Sequence, residues 1–391
     1  MRSVSWKSER FTESVIRGMT RLCEQYGGVN LAQGFPDFPT PTELKEAAKR
    51  AIDGDFNQYA VTWGTRDFRQ AIARKVGAYN GIACDPESEI TVTCGSTEAM
   101  IATLLALVNE GDEIVIFEPF YENYGPDAIL SGATPIYVPL RPPSFSFDRR
   151  ELRDAFSPAT KAVIVNTPHN PTGHVFTRAE LEQIAALCRE FDCFAITDEI
   201  YEHILYDGRE HVSLATLPGM RARTITIGGL SKTYSVTGWR LAYAIATPDA
   251  TLAIRKTHDF LTVGAPHPLQ CAGVQALEMP ASYYAGLARD YAARRDILSD
   301  ALRAAAFDIV VPEGAYYIMA DISRFGFPDD AAFCQWLVRE VGVAAVPGSS
   351  FFRHPDMGRH LVRFAFCKRE ETLREAASRL GRVPELVRRR T

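Results

Sequence analysis

From residue 89 onward, short apolar or β-branched runs recur: Glu89–Cys94, Glu113–Phe117, Thr134–Leu140, Lys161–Asn166, Cys193–Thr197, Thr224–Ile227 and Leu241–Ala246. Most are separated by stretches with helical spacing, such as Ala99–Val108 and Arg178–Phe191. Apolar runs of strand length that alternate with helices predict βαβ units and a largely parallel sheet buried on both faces. Upstream, residues 8–26 place Phe11, Val15, Ile16, Met19, Leu22 and Cys23 on one stripe, which predicts an amphipathic helix. The Gly-, Pro- and Asp-rich stretch Asn30–Pro41 does not suit regular structure, and helices are expected over Pro41–Asp53 and Thr65–Tyr79. Past Gly264, helical segments fill 268–306. Strand-like runs then follow at Phe307–Val311, Ala315–Asp321 and Leu361–Cys367, with a helix over Phe333–Val341. This mixture predicts a smaller α+β domain after the parallel one.

Ligands of open α/β sheets sit beyond the C-terminal ends of the strands, so chemistry is expected in the residues that follow each run. Thr224–Ile227 leads through Gly228-Gly229-Leu230-Ser231 to Lys232, with Arg240 eight residues later. A lysine held out of water at a strand end is available as a neutral amine that condenses with a carbonyl. An arginine suits a phosphate because its planar fork donates two parallel hydrogen bonds. Glu89–Cys94 leads to Gly95-Ser96-Thr97, small residues opening a helix, which makes an anion cradle. Glu113–Phe117 leads to Phe120 and Tyr121, rings able to stack on a planar ligand. Lys161–Asn166 leads to Thr167-Pro168-His169-Asn170-Pro171-Thr172-Gly173, a loop stiffened by prolines that fixes the Asn170 amide as a donor. Cys193–Thr197 leads to Asp198 and Tyr201. A carboxylate in that position calls for a cationic or donating partner, such as a pyridinium N–H. Taken singly, each has an ordinary structural reading: a capping turn, core aromatics, a rigid loop, a satisfied buried aspartate. Their convergence on one edge of one sheet describes a site for an aldehyde that also carries a phosphate and a pyridine ring, pyridoxal 5′-phosphate.

Composition narrows the alternatives. The chain has 391 residues, which suggests two domains, and a net charge of −5, which disfavours a nucleic-acid surface. Arg388-Arg389-Arg390 is the one basic cluster and reads as a solvated tail. The eight cysteines include no CxxC pair and read as free thiols, and the eight histidines show no ligand spacing, so no metal is expected. The N-terminus lacks the apolar core of a signal peptide and no run is long enough to span a bilayer, so a cytoplasmic location without membrane contact is expected.

The motifs GFPDFPTP, NQYAVTWG, CGSTEA, EPFYENY, NTPHNPTG, TDEIYE, GLSKTYSVTGWR and VRFAF together resemble those of class I/II pyridoxal-phosphate-dependent aminotransferases. They occur in the family's order from about Asn30 to Cys367, and GFPDFPTP with EPFY is most similar to the kynurenine, glutamine and methionine aminotransferase branch. The resemblance implies fold type I: a large domain with a mostly parallel seven-stranded sheet between helices (47–278) and a smaller α+β domain (1–46 with 279–391). It implies Lys232 as the imine-forming lysine and proton carrier, Asp198 as partner of the pyridine nitrogen, and Asn170 and Tyr201 as donors to the cofactor's phenolic oxygen. Tyr121 would stack on the ring, while Ser96, Thr97, Ser231 and Arg240 would hold the phosphate. Tyr59 would reach the phosphate of a neighbouring subunit, so a homodimer with shared active sites is implied, with no nucleic acid. Arg363 would clamp the substrate α-carboxylate, helped by Gly34 and Asn170. Strand alternation supports Arg363 separately, since Val362, Phe364 and Phe366 take one face and Arg363 the other. In one departure, Gly229 stands where the family usually has a serine ligand of the phosphate.

The expected activity is ping-pong transfer of an amino group from an L-amino acid to a 2-oxo acid. No second arginine or lysine occupies a motif position suited to a side-chain carboxylate, and Phe35, Tyr121 and Tyr124 are aromatic. Both facts favour neutral or aromatic substrates such as methionine, phenylalanine, glutamine or kynurenine. An aspartate aminotransferase and a cysteine-S-conjugate β-lyase are the alternatives on the same scaffold. A cofactor-binding transcription regulator would need a DNA-binding domain, and no helix-turn-helix pattern is seen at either end.

Overall fold

The computed structural model describes residues 4–390. Met1–Ser3 and Thr391, the extreme ends of the expected small domain, lie outside the described residues. In chain order the strands are β1 (Val29–Asn30), β2 (Ile90–Thr93), β3 (Glu113–Glu118), β4 (Thr134–Arg141), β5 (Ser146–Phe147), β6 (Thr160–Asn166), β7 (Phe194–Asp198), β8 (Thr224–Gly229), β9 (Ala242–Ile245), β10 (Asp308–Val310), β11 (Tyr317–Asp321), β12 (Val343–Ala344), β13 (Val346–Pro347) and β14 (Leu361–Ala365). The helices are α1 (Val15–Gln25), α2 (Thr42–Asp53), α3 (Arg66–Lys75), α4 (Ser96–Leu107), α5 (Tyr124–Ser131), α6 (Arg149–Asp154), α7 (Arg178–Glu190), α8 (Pro248–Thr262), α9 (His267–Leu277), α10 (Ala281–Ala304), α11 (Asp330–Trp336), α12 (Glu370–Leu380) and α13 (Val383–Arg388).

The large sheet has the order β2-β9-β8-β7-β6-β3-β4-β5. β8, β7, β6, β3 and β4 pair in parallel, while β9 runs antiparallel between β8 and β2. The seven expected runs therefore form the body of the sheet. The eighth strand, β5, is a two-residue antiparallel ribbon on β4, too short to show a period in sequence. Strand alternation sends Ile114, Ile116, Ile164, Ile196 and Ile225 into a core with residues of α4, α5 and α8. Val115, Phe117, Val163 and Val165 take the opposite face, with α7, in a core continuous with the small sheet. Each such side chain contributes about 1.5–3 kcal/mol of burial free energy.

The antiparallel small sheet, β10-β11-β14-β13, lies beyond residue 307. β1 pairs in parallel with β12, which ties the N-terminal segment to this C-terminal part. Among the described residues no helix is long and apolar enough to cross a membrane.

One expected helix is corrected. The helix over 8–26 begins only at Val15: Ser8–Arg10 form a short 3-10 turn, and Ser14 caps α1 by accepting from Arg17 N. The Glu122 carboxylate fixes that start, accepting from Ser14 Oγ (2.6 Å) and Ile16 N (3.2 Å), and an anion there also suits the helix dipole. The helical segments expected over 268–306 are α9 and α10, separated by Glu278–Pro280. Helix α8 was not anticipated. Leu252, Phe260 and Leu261 are exposed on it, so its apolar residues trace no single stripe.

Candidate active site

A cavity of about 1000 Å³ opens at the C-terminal edge of the large sheet, where β3, β6, β7 and β8 end, and is closed on the other side by β14 and the loop around Gly34. Strand register places its floor. Asn166 lies opposite Asp198, which in turn lies opposite Ile227, so the ends of β6, β7 and β8 deliver their following residues to one place.

Lys232 follows β8 after two residues and reaches into this cavity. Burial pushes its amine down to about 8, only partly offset by the Asp198 carboxylate. Its Nζ has the Gly34 carbonyl at 3.5 Å and lies 5.8 Å from the centre of the Tyr201 ring. A fraction of the amine is thus neutral near neutral pH, and it has no carboxylate ion pair among the described residues.

Asp198 is the last residue of β7, and burial raises its pKa. Tyr124 Oη donates to its Oδ2 (2.8 Å) and Ile200 N to its Oδ1 (3.3 Å). Asn166 Nδ2 donates to the Asp198 carbonyl (2.8 Å), locking two strand ends together. Tyr201 Oη shares a hydrogen bond with Tyr317 Oη (3.0 Å). Asn170 is buried, and its backbone N donates to Asn166 Oδ1 (2.7 Å).

At the other end, Gly95 precedes α4 with φ +87 and no side-chain cap, leaving the first N–H groups of α4, at Ser96 and Thr97, without a capping acceptor. A Cβ on Gly95 would run into the Arg240 guanidinium, so glycine is what lets that cation pack onto the helix start. Ser96, Thr97, Ser231 and Arg240 all line this part of the cavity. The donor set is that of a phosphate cradle. With the depressed amine of Lys232 and the buried Asp198 carboxylate, the residues present fit pyridoxal phosphate. Tyr121 lines the same cavity, where its hydroxyl bonds Thr97 and interacts with Asp198 and Arg240.

Arg363 on β14 is 1% exposed and lies between the rings of Tyr317 (4.3 Å) and Phe351 (4.7 Å). Nη1 donates to Asn170 Oδ1 (2.8 Å) and Nη2 to the Ala32 carbonyl (2.9 Å), while Nε has no partner. A buried guanidinium that lines the cavity and carries one N–H with no partner among the described residues is suited to a carboxylate. Gly34 borders the same space, and a Cβ there would run into Tyr317 Oη.

The structure thus brings together every expected site residue except Tyr59, which stands 86% exposed in the loop between α2 and α3 and does not line this cavity. Gly229 is also away from the cavity lining. A Cβ there would meet Ile200 Cδ1 at 2.9 Å and Ala242 Cβ at 3.0 Å, so a side chain at this position requires its neighbours to shift. Several participants were not legible from motif spacing. Tyr124, expected only as an aromatic near the substrate, binds Asp198. Tyr317, which read as one more residue of a strand, lies against Tyr201 and Arg363. Arg10, Arg17 and Arg353 reach the outer rim, where no cation was anticipated. Behind the site, Glu199, Glu202 and His211 bring ligand atoms within 4.8 Å of one another, a grouping that histidine spacing did not reveal. Lys75 already pairs with Glu202 there.

Residues 26–380 match the family model described as aminotransferase class I and II. A probable N-succinyldiaminopimelate aminotransferase of Mycobacterium tuberculosis is 39% identical, over 96% of this chain and 97% of that protein. A methionine aminotransferase of Escherichia coli is 38% identical (95% and 96% covered), and human kynurenine–oxoglutarate transaminase 1 is 35% identical (92% and 93% covered). The solved structure of an N-succinyldiaminopimelate aminotransferase from Mycobacterium tuberculosis superposes with a TM-score of 0.94, covering 98% of this chain and 100% of that one at 39% identity.

Proposed function

The chain belongs to the class I and II aminotransferases and is an enzyme that moves amino groups between amino acids and 2-oxo acids; we propose that it does so with pyridoxal 5′-phosphate held on Lys232. The observation that carries this reading is the lysine amine, depressed to about 8, in one cavity with Asp198, the open start of α4 and Arg363. When bound, the cofactor supplies an aldehyde that exchanges amines and a ring that takes up electrons as a Cα proton leaves. Asp198 holds a proton at the ring nitrogen. Ser96, Thr97, Ser231 and Arg240 hold the phosphate, Tyr121 covers the ring face, and Asn170 and Tyr201 donate to the phenolic oxygen. Arg363, with Asn170 and Gly34, orients the substrate α-carboxylate. Lys232, as a neutral amine, would take the Cα proton and return it on the other side of the exchange. The two half-reactions follow in ping-pong order.

Neutral or aromatic amino acids are the proposed donors, supported by the aromatic wall that Phe35, Tyr121, Tyr137 and Phe352 give the cavity. Arg10 and Arg353 on the rim favour, as a second reading, a donor with a distal carboxylate. The proposed assembly is a homodimer in which Tyr59 completes the partner's phosphate site; exposed Tyr59 and Phe260 (91%) support it. The proposed domains are 47–278 and 1–46 with 279–391, supported by the β1–β12 pairing, although α2 runs across position 46/47 and packs on α9. A cytoplasmic location is part of the same proposal.

The test is to load the protein with pyridoxal phosphate and record visible absorbance while adding amino acids singly. A band lost with one amino acid and recovered with a 2-oxo acid supports transamination and ranks the donors. Release of pyruvate and ammonia from a cysteine conjugate, without recovery by oxo acid, moves the reading to β-elimination. No band at all overturns the cofactor assignment.

A further inference from the structure

The loop Ala32–Asp37 passes over Lys232, whose Nζ has the Gly34 carbonyl at 3.5 Å, and side chains of residues 316–369 donate to the loop's backbone carbonyls. Arg363 Nη2 donates to the Ala32 carbonyl (2.9 Å), and Tyr316 Oη to that of Gly34 (2.9 Å). Lys368 Nζ donates to the carbonyls of Gln33 (3.2 Å) and Phe35 (2.8 Å), and Arg369 Nε to that of Asp37 (2.9 Å). Lys368 is the unusual member. It is only 3% exposed, its ammonium donates to backbone carbonyls rather than to a carboxylate, and it lies 4.3 Å from the centre of the Phe35 ring. A buried ammonium is costly unless acceptors replace its water. Here the acceptors and the ring face all belong to the loop itself. Lifting the loop would remove the acceptors of Lys368, so the closed loop and the buried charge stabilise each other.

We propose that Lys368 is a positioning residue that holds the loop Ala32–Asp37 closed over Lys232 and thereby sets the affinity for the amino acid. The loop contributes Gln33, Gly34 and Phe35 to the cavity wall, on the side where Arg363 waits for a carboxylate. None of the phosphate-cradle residues touches it through the contacts above, so cofactor binding is expected to be indifferent to Lys368. The inference about affinity rests on the aminotransferase reading of the site; the inference about the loop does not.

The experiment is Lys368→Met in the full-length, cofactor-loaded protein, with Lys368→Arg as the conservative control. Amide hydrogen exchange in 32–37 is read by mass spectrometry, alongside KM, kcat and cofactor affinity. Loss of two buried charge-assisted bonds is expected to speed exchange in this loop roughly tenfold and to raise KM for the amino acid roughly tenfold, with kcat within about twofold and cofactor affinity unchanged. Lys368→Arg should recover much of the protection. Tyr316→Phe removes a single donor to the same loop and should give a smaller change of the same kind; it carries the test if Lys368→Met does not fold. Unchanged exchange in 32–37, or faster exchange spread equally over β11 and β14, overturns the proposal. If no amino acid is turned over by the unaltered protein, the aminotransferase reading fails, while the exchange measurement still decides the role of Lys368.

Discussion

Tyr124 Oη donates to Asp198 Oδ2 across 2.8 Å, joining the first residue of α5 to the last residue of β7. Burial raises the pKa of Asp198, and this hydrogen bond works against that rise. Removing the hydroxyl leaves the buried carboxylate with one donor fewer, so it protonates at higher pH. Tyr124→Phe is expected to lower kcat/KM about tenfold near pH 7. The acid limb of the pH–rate profile should move to higher pH, because activity requires the charged form of Asp198. A profile with an unmoved acid limb would show that the pair does not set the charge of Asp198.

Lys232 should be indispensable and, without cofactor, destabilising. Lys232→Ala is expected to abolish turnover, measured as oxo-acid formation. In the apo protein its amine releases a proton near 8 rather than near 10.5, so between those values the unfolded chain binds more protons than the folded one. Stability from this group therefore rises as pH climbs from about 8 to 10.5, and the cost is fully present below 8. Lys232→Met should stabilise the apo protein at pH 7 by about 1–3 kcal/mol and flatten that alkaline rise, read by denaturant melts across pH.

Arg363 lines the cavity while Asn170 and the Ala32 carbonyl hold its two Nη atoms. Arg363→Lys keeps the charge but loses the planar donor pair. We expect KM for the amino acid to rise by about two orders of magnitude, equivalent to roughly 3 kcal/mol, with cofactor binding unaffected in an absorbance titration. Equal losses of substrate and cofactor affinity would argue for a structural role instead.

Gly229→Ser tests the one departure from the family's motif. The new Cβ would press on Ile200 Cδ1 and Ala242 Cβ, at a position that does not line the cavity. The variant should lose about 1–3 kcal/mol of stability, seen as a lower Tm, with no gain in affinity for pyridoxal phosphate. Tighter cofactor binding would show that the serine of relatives reaches the phosphate here after all.

Much of the site was legible because chemistry followed each strand directly. Lys232, Asp198, Asn170 and Ser96 could be picked out as the residues just past apolar runs, and the parallel sheet guaranteed that such residues share an edge. Tyr317, Tyr124 and Lys368 were different. Tyr317 opens a small-sheet strand among apolar neighbours, so its pattern is that of a core residue, whereas Lys368 opens the charged run Lys368-Arg369-Glu370-Glu371, the pattern of a solvated surface. Tyr124 opens a short helix and looks like one more aromatic in EPFYENY.

The sequence by itself determined the succession of strands and helices and the residue types at each strand exit. Periodicity and turn composition are local, and each exit lies within a few residues of the run that positions it. Only the tertiary structure decided that residues 32–37 lie against 316–369, that Arg363 meets Asn170, and that Tyr124 meets Asp198. Those contacts join segments far apart in the chain. They are selected by the requirement that buried charges and amides find partners once the two sheets have packed, and no local pattern carries that information.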